Sequence, residues 1–399
     1  MAQTSQIKKI ALIDPQPFAH SAGYFKAALS CCPESFAHVI NVYAAVQEKS
    51  ALDTESVLHD ASLRGYKCEY FLKKSTSSSR IIQAFSAPLF LHWANNLAKR
   101  DKIDHVYFLS LDSILGWLIS PFRKIFFSKI TSSFSGIIFN ADAFSTRAQY
   151  SFKKHLVNYY DRCVIEKAAV CKSVRHIDFL DHQLSKNFIK GRPGVDPWTS
   201  YTKISKLSAQ KNLDVNPGQK TTILSLGVHH PRKGTQWLIK SLCKLAADGD
   251  KNWHLILAGP IPESSKTEIQ NDLSKLNDLG ITSSVFDYFI GDSETWTFYQ
   301  ASDIFVAPYI NFEGSSNASI RACAAGIPII VSKNQTMVNV IKKYGCGRII
   351  DSYTEDSLAE CLSTVRNLIV ENPSFYSDSC RSYADLHSEE NFRKQVADF

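Results

Sequence analysis

The sequence predicts an α/β protein made of two doubly wound parallel-sheet units in tandem. Three observations carry that expectation. Apolar runs such as "TTILSLG" (Thr221–Gly227) and "IPIIVS" (Ile327–Ser332) are short and continuous rather than alternating, the pattern of strands buried on both faces. Stretches of helical period separate those runs. Glycine, proline and polar residues cluster in "KGRPGVDPWTSYTK" (Lys190–Lys203), near the middle of the 399-residue chain, which marks a boundary between two units.

The elements follow in order. In the first half, strands are expected at "KKIALID" (Lys8–Asp14), "HVINVYAA" (His38–Ala45), "CEYFL" (Cys68–Leu72), "HVYFLS" (His105–Ser110), "GIIFN" (Gly136–Asn140) and "SVRHIDFL" (Ser173–Leu180), with helical stretches between them. The second half is cleaner. Strand "TTILSLG" leads to helix "TQWLIKSLCKLAADG", which ends on Gly249. Strand "WHLILAGP" leads to helix "SKTEIQNDLSKLNDLG". Strand "SVFDYFIG" (Ser284–Gly291) leads to helix "SETWTFYQAS". Strand "DIFVAPY" (Asp303–Tyr309) leads to helix "NASIRACAAG" (Asn317–Gly326), and "IPIIVS" closes the series.

Composition sets the outer bounds. At 44% hydrophobic and 21% charged, the chain is an ordinary globular one with core enough for two domains. No stretch has the length and apolarity of a membrane-spanning helix. The apolar run after Lys8 and Lys9 is too short for a signal-peptide core. Ten cysteines are scattered without a CxxC pair or a Cys/His cluster at zinc spacing, so a reduced, cytoplasmic protein is expected, with no metal site.

Charge is uneven. Residues 1–200 carry about 25 Lys and Arg against about 16 Asp and Glu, and the remainder about 20 against about 22. "SPFRKIFFSKITSSFSG" (residues 120–136) sets Phe122, Ile125, Phe126 and Ile130 at helical spacing beside Arg123, Lys124 and Lys129. Two structures fit it: a basic amphipathic helix in peripheral contact with the inner membrane face, or a helix that packs its phenylalanines into the core. No nucleic-acid motif accompanies the basic half, so nucleic acid is not an expected partner.

In doubly wound sheets, ligands sit beyond the carboxyl ends of the strands, and there the sequence places its unusual loops. In "FEGSSNASIRACAAGIPIIVS" (Phe312–Ser332), Gly314 permits a sharp turn and a close ligand. Ser315, Ser316 and Asn317 are all good helix caps. The first free amides of that helix make a seat for a diphosphate, and Glu313 suits hydroxyl donors such as those of a sugar. Arg321 lies one turn in, on the face of Asn317. In "GVHHPRKGTQWL", Gly227 ends a strand and Lys233 stands at a helix start, a place for a cation that meets phosphate. The spacing is not that of a Walker loop.

Four pieces in this order, "LSLGVHHPRKG", "HLILAGP", "TFYQASDIFVAPY" and "EGSSNASIRACAAGIPIIVS", together with "PGVDPW" (Pro193–Trp198) and the tail "CRSYADLHSEENFRKQVADF", resemble the donor half of the retaining GT-B glycosyltransferases, glycosyltransferase group 1. The resemblance covers about residues 190–399. It implies a GT-B fold of two Rossmann-like domains facing a central cleft: an acceptor domain over residues 1–197, a donor domain over 198–378 and a helix over 379–399 that crosses back. It also implies transfer of a sugar from a nucleotide-sugar substrate to a glycan or lipid-linked acceptor, with retention and without metal or other cofactor.

By that resemblance, Glu313 orients the donor sugar, Lys233 balances the departing diphosphate, and Gly23 in "HSAGYF" admits the diphosphate from the first domain. Donor contacts extend to Gly227, His229, His230, Arg232, Ile290, Gly314, Ser315, Ser316, Asn317 and Arg321. His20, Asn140 and Asp142 fall on the acceptor side, with Asp142 as a catalytic candidate. Three departures stand out. Val228 occupies the place of a phosphate-binding arginine, for which His229, His230 or Arg232 are substitutes. Arg321 replaces the acid associated with the nucleotide ribose; it can pair with Glu313, contact phosphate or select a nucleotide. "NAD" (Asn140–Asp142) replaces a histidine. A non-catalytic GT-B scaffold or binding subunit is the alternative that these departures leave open.

Overall fold

The computed structural model describes residues 9–14, 21–29, 38–44, 49–73, 91–112, 114–115, 133–139, 144, 152–312 and 314–398. The chain divides into two units: unit 1 comprises Met1–Thr199 and Ser388–Phe399, and unit 2 comprises Ser200–His387.

Unit 1 is a seven-stranded parallel sheet: β1 (Ile10–Asp14), β2 (His38–Ala44), β3 (Lys67–Lys73), β4 (His105–Phe108), β5 (Ser133–Ile138), β6 (Val174–Phe179) and β7 (Gly191–Pro193), in the order 3-2-1-4-5-6-7. Helices α1 (Ser21–Leu29), α2 (Lys49–Leu63), α3 (91–100), α4 (Phe152–Val170) and α5 (His182–Ser185) intervene. Every residue of β1 and β4 is buried, as a strand between two helical layers requires. The sheet carries an apolar cluster on each side, one around Leu97, Phe108 and Phe134 and the other around Phe25, Tyr107 and Phe392.

Unit 2 opens with α6 (Lys206–Asn212). It then repeats the plan with β8 (Thr221–Leu226), α7 (Thr235–Ala247), β9 (Trp253–Ala258), α8 (Glu263–Asp278), β10 (Thr282–Phe286), α9 (Asp292–Gln300), β11 (Ile304–Ala307), α10 (Asn317–Ala324), β12 (Ile329–Ser332), α11 (Gln335–Tyr344), β13 (Gly347–Ile350), α12 (Glu355–Glu371) and α13 (Ser377–Asp385). All six strands are parallel, in the order 10-9-8-11-12-13. The order reverses at β8/β11, the switch point at which such sheets take ligands.

Three expectations change. Residues 133–136, assigned to an amphipathic helix, begin β5 instead, where Phe134 is 2% exposed; residues 120–132 of that segment lie outside the described residues. β10 ends at Phe286 and does not run on to Gly291. Asp287 turns its side chain to accept from the Ile261 amide at 2.8 Å and pairs with Lys266 at 2.9 Å, which ends the strand. The returning segment starts at Ser388, not at residue 379, because α13 packs on α10 within unit 2.

That segment carries α14 (Glu389–Ala397), which completes unit 1. Phe392 is fully buried, edge-on to Tyr24 and Tyr107. A polar network holds it there. Arg192 donates to both oxygens of the buried Asp178 at 2.7 and 3.0 Å and to the Gln395 carbonyl at 3.1 Å. Tyr107 donates to Asp178 at 2.5 Å and accepts from Gln395 Nε2 at 2.5 Å, while Gln395 Oε1 accepts from the Val195 amide at 2.7 Å. Burial raises the Asp178 carboxyl above its ordinary value, and the arginine and phenol that bond it oppose that rise. Removing one member of a buried pair costs about 3–5 kcal/mol. Arg192→Ala is therefore expected to destabilise unit 1 by about that much, read as faster amide exchange over β6 and α14 with unit 2 unchanged; equal exchange in both proteins would rule the pair out as a clamp.

Candidate functional site

The expected loops converge in unit 2, beyond β8 and β11. Gly227 extends the ladder after β8, donating to the Ala258 carbonyl at 2.8 Å with φ at 114°. A Cβ there would stand 3.0 Å from the Lys233 ammonium nitrogen, so the bare backbone makes room for the cation. The chain then passes through a short 3-10 turn, Pro231–Lys233, whose cap His230 accepts from the Arg232 amide at 3.4 Å. Gly234 follows at φ 68°; a Cβ at this position would lie 2.1 Å from the Pro308 carbonyl oxygen. The loop is thereby pinned to the end of β11.

Lys233 donates to Tyr309 Oη at 2.9 Å and to the Leu226 carbonyl at 3.3 Å. Tyr309 lies in turn 3.4 Å from Ser316 Oγ. Ser316, not Ser315 or Asn317, caps α10, its hydroxyl accepting from the Ser319 amide at 3.3 Å. Burial alone would raise the Tyr309 phenol. The Lys233 charge and hydrogen bond, with Ser316, outweigh that and bring it below its ordinary value. An ammonium has three donors, and the two bonds above leave one for a ligand. Cation, lowered phenol and the amino end of an eight-residue helix thus meet at one strand edge. Local charge and the direction of the first helix amides suit this edge to an anion.

The substitutes for a phosphate-binding arginine divide. His229 is 1% exposed, bonded through Nδ1 to Thr235 Oγ1 at 2.9 Å, and burial, then the Lys233 charge, lowers its pKa to about 4. It is neutral at pH 7 and supplies no charge. Arg232 lies with its guanidinium 5.3 Å from the centre of the Phe312 ring. Val228 is 49% exposed. Gly314 does not adopt a left-handed backbone, so the turn does not demand glycine; its missing Cβ gives room only to Phe312 Cζ, 2.9 Å away.

Arg321 points elsewhere than expected. It is 7% exposed, pairs with Asp292 Oδ1 at 2.5 Å and lies 5.8 Å from the Trp296 ring centre. Gly23 sits in the first turn of α1 and not in a loop, and Ile290 lies half-buried in the β10–α9 connection. Glu313, Asp142, Asn140 and His20 lie outside the described residues. Tyr309 and Asp292 were not anticipated. Tyr309 carries a faint signal, an aromatic straight after the proline that ends "DIFVAP". Asp292 carries another, an acid in a helix first turn. A groove of about 370 Å3 runs beside the loop between α7 and α8, walled by Trp237, Lys240 and Tyr353 but not by Lys233. Among the described residues, no group of three or more His, Cys, Asp or Glu side chains is placed to hold a metal, and no helix is long and apolar enough to cross a membrane.

Comparison with known proteins agrees with this architecture. Residues 208–368 match the family described as Glycosyl transferases group 1. The alpha-monoglucosyldiacylglycerol synthase of Streptococcus pneumoniae is 25% identical over 190 residues, 48% of this chain and 40% of that protein. The chain spans about two fifths of the length of the curated relatives it matches. Sucrose-phosphate synthase from Thermosynechococcus elongatus superposes with a TM-score of 0.66 at 15% identity, over 98% of this chain and 97% of that one. Anabaena HepE, solved with UDP-glucose, gives 0.65 at 12% identity, over 98% of each chain. The fold is GT-B, and the stretch similar to the group 1 glycosyl transferases falls within unit 2, where the sequence motifs lie.

The neutral histidine has a measurable consequence. Below pH 6.5, the ordinary histidine value, an unfolded chain protonates this residue, whereas His229 in the fold stays neutral down to about 4. The unfolded state then binds more protons, so stability falls as pH drops through that window, by on the order of 3 kcal/mol for a shift of this size. His254, bonded to Thr282 and Ser284 and also near 4, adds in the same direction. The unfolding midpoint is expected to fall between pH 6.5 and 4, and less steeply in His229→Gln; identical profiles would show that His229 does not carry the effect.

Proposed function

We propose that the protein transfers a sugar from a nucleotide-sugar donor to a glycan or lipid-linked acceptor, with retention of anomeric configuration. The observation that carries this is the Lys233–Tyr309–Ser316 arrangement at the switch point of unit 2. In sugar transfer the bond from the anomeric carbon to the diphosphate oxygen breaks, and negative charge grows on the leaving diphosphate. Lys233 and the first amides of α10 meet that charge as it forms, which stabilises the transition state more than the ground state. Glu313 serves the donor sugar's hydroxyls. HepE was solved with UDP-glucose and the streptococcal relative is named for a glycolipid; the first supports a nucleotide-sugar donor and the second a lipid acceptor. Unit 1, the more basic half, takes the acceptor side, with Asn140, Asp142 and His20. Peripheral contact with the inner face of a membrane, through residues 120–132, belongs to the same proposal.

The test is thermal stability with UDP-, GDP-, ADP- and dTDP-sugars. One nucleotide class is expected to raise the melting temperature in a concentration-dependent way, with about 2.7 kcal/mol gained at a hundred times Kd. Lys233→Met is expected to weaken that gain and to slow transfer by about 10²–10³, the usual effect of removing one charge-stabilising donor. Donor binding and transfer that survive Lys233→Met would place the anion elsewhere. No stabilisation by any donor would favour the non-catalytic scaffold.

A further inference from the structure

The groove beside the β8–α7 loop is separate from the Lys233 cluster, and its lining has a chemistry of its own. Its volume of about 370 Å3 falls within the range of small-ligand sites. Two bonds fix its frame. Gln236 Nε2 donates to Glu268 of α8 at 2.8 Å, and the Trp237 indole N–H donates at 2.9 Å to the carbonyl of Thr354, the cap of α12. The start of α7 is thus tied to α8 on one side and to α12 on the other, so the walls stand formed before anything binds. Tyr353 lies beside Trp237, with ring centres 5.4 Å apart at 43°, and is 49% exposed. The indole's single donor is already used, so what Trp237 offers a ligand is ring surface.

The polar part of the lining is mixed. Lys240 brings an ammonium and Glu355 a carboxylate, both exposed. Among the described residues, neither side chain is in a hydrogen bond or an ion pair. Their formal charges cancel, and His229 of the same lining is neutral at pH 7. Such a surface discriminates among ligands. An anion that approaches Lys240 also meets Glu355. An apolar ligand would take water from an ammonium and a carboxylate and give no bond in return. A neutral sugar satisfies the whole lining. Each hydroxyl both donates and accepts, so one accepts from Lys240 while another donates to Glu355. The C–H face of a pyranose ring covers aromatic surface, and burial of that surface supplies the driving force.

We propose that this groove is a saccharide-binding site, in which a neutral pyranose stacks on Trp237 and Tyr353 and shares its hydroxyls between Lys240 and Glu355. Lys233 does not line the groove, so the sugar held here is not the donor's. A free sugar and a sugar within a glycan chain present the same ring. That a glycan held here belongs to the acceptor or product rests on the sugar-transfer reading above; the binding itself does not.

The experiment is saturation-transfer NMR and calorimetric titration with glucose, galactose, maltotriose, cellotriose and chitotriose. At least one is expected to bind the wild type. A trisaccharide that binds where its monomer does not assigns the groove to a glycan chain; equal binding assigns it to a free sugar, and either supports the site. Tyr353→Ala and Trp237→Ala should each weaken binding by about tenfold, the loss of roughly one aromatic face. Trp237→Phe, which keeps a ring, should retain most of it. Melting temperatures check that each variant folds, and Tyr353→Ala, at an exposed position, decides if Trp237→Ala does not. Failure of every sugar to bind overturns the proposal, as does binding that survives loss of both rings. Displacement of the sugar by UDP, GDP or ADP would put it in the donor's place and overturn it too. Stabilisation by nucleotide-sugars should be the same in Tyr353→Ala as in the wild type, so the donor reading stands or falls separately.

Discussion

Two glycines meet backbone to backbone where β8 and β9 end, and the site in unit 2 depends on that contact. Gly259, at φ 126°, passes so close to Gly227 that a Cβ on it would lie 2.4 Å from the Gly227 carbonyl oxygen. Each extends its parallel ladder by one more bond, Gly227 to Ala258 and Gly259 to Phe286. The two loops leave the sheet at one level, and the first must turn back immediately. Gly234 completes the turn against Pro308. Lys233 lies between these fixed points, so its ammonium has little choice but to reach back over the end of β8 toward Tyr309. A flexible side chain is made precise by backbone crowding, which costs less entropy at the moment of binding than ordering a free lysine.

The same crowding explains what was legible in the sequence. Glycines at strand ends and a lysine before a glycine are local signals, and Gly227, Lys233 and a helix cap within Ser315–Asn317 could be read from them, though not that Ser316 is the cap. Tyr309 could not, because it meets Lys233 across 76 positions of sequence through the β8/β11 crossover, and only the sheet order brings the two together. Asp292 was hidden for the same reason. Arg321 looked like a loss because its counter-ion lies on another helix. β13 was overlooked for a different reason. "GRII" is four residues long and starts with glycine, which argues against a strand. Yet a Cβ on Gly347 would lie 1.8 Å from the Ile329 carbonyl oxygen, so glycine is what lets the strand pair at all.

Unit 1 depends on the chain's last segment. Phe392 fills a place in its core, and Gln395 bonds both Tyr107 and the Val195 amide. The Asp178 carboxylate is satisfied from three sides, by the two arms of Arg192 and by Tyr107. Buried polar networks stabilise only when complete, and this one is complete only with α14 in place. Unit 2 is therefore an insertion between parts of unit 1, in contact order as well as in sequence. The core of unit 1 closes only after the whole of unit 2 has been made.

Lys233 and Arg321, two cations of unit 2, differ in what surrounds them, and that sets the net charge each presents. Lys233 is bonded to a carbonyl and a phenol, both formally neutral, so the cluster keeps a positive charge. Arg321 is bonded to a carboxylate, so the pair is neutral as a whole. An incoming diphosphate gains Coulomb energy from the first and almost none from the second. The neighbouring histidine sharpens the contrast, because His229, held neutral by burial beside Lys233, neither competes for the anion nor screens it. Of these two cations one keeps its charge and the other is matched, set by partner choice rather than by residue type.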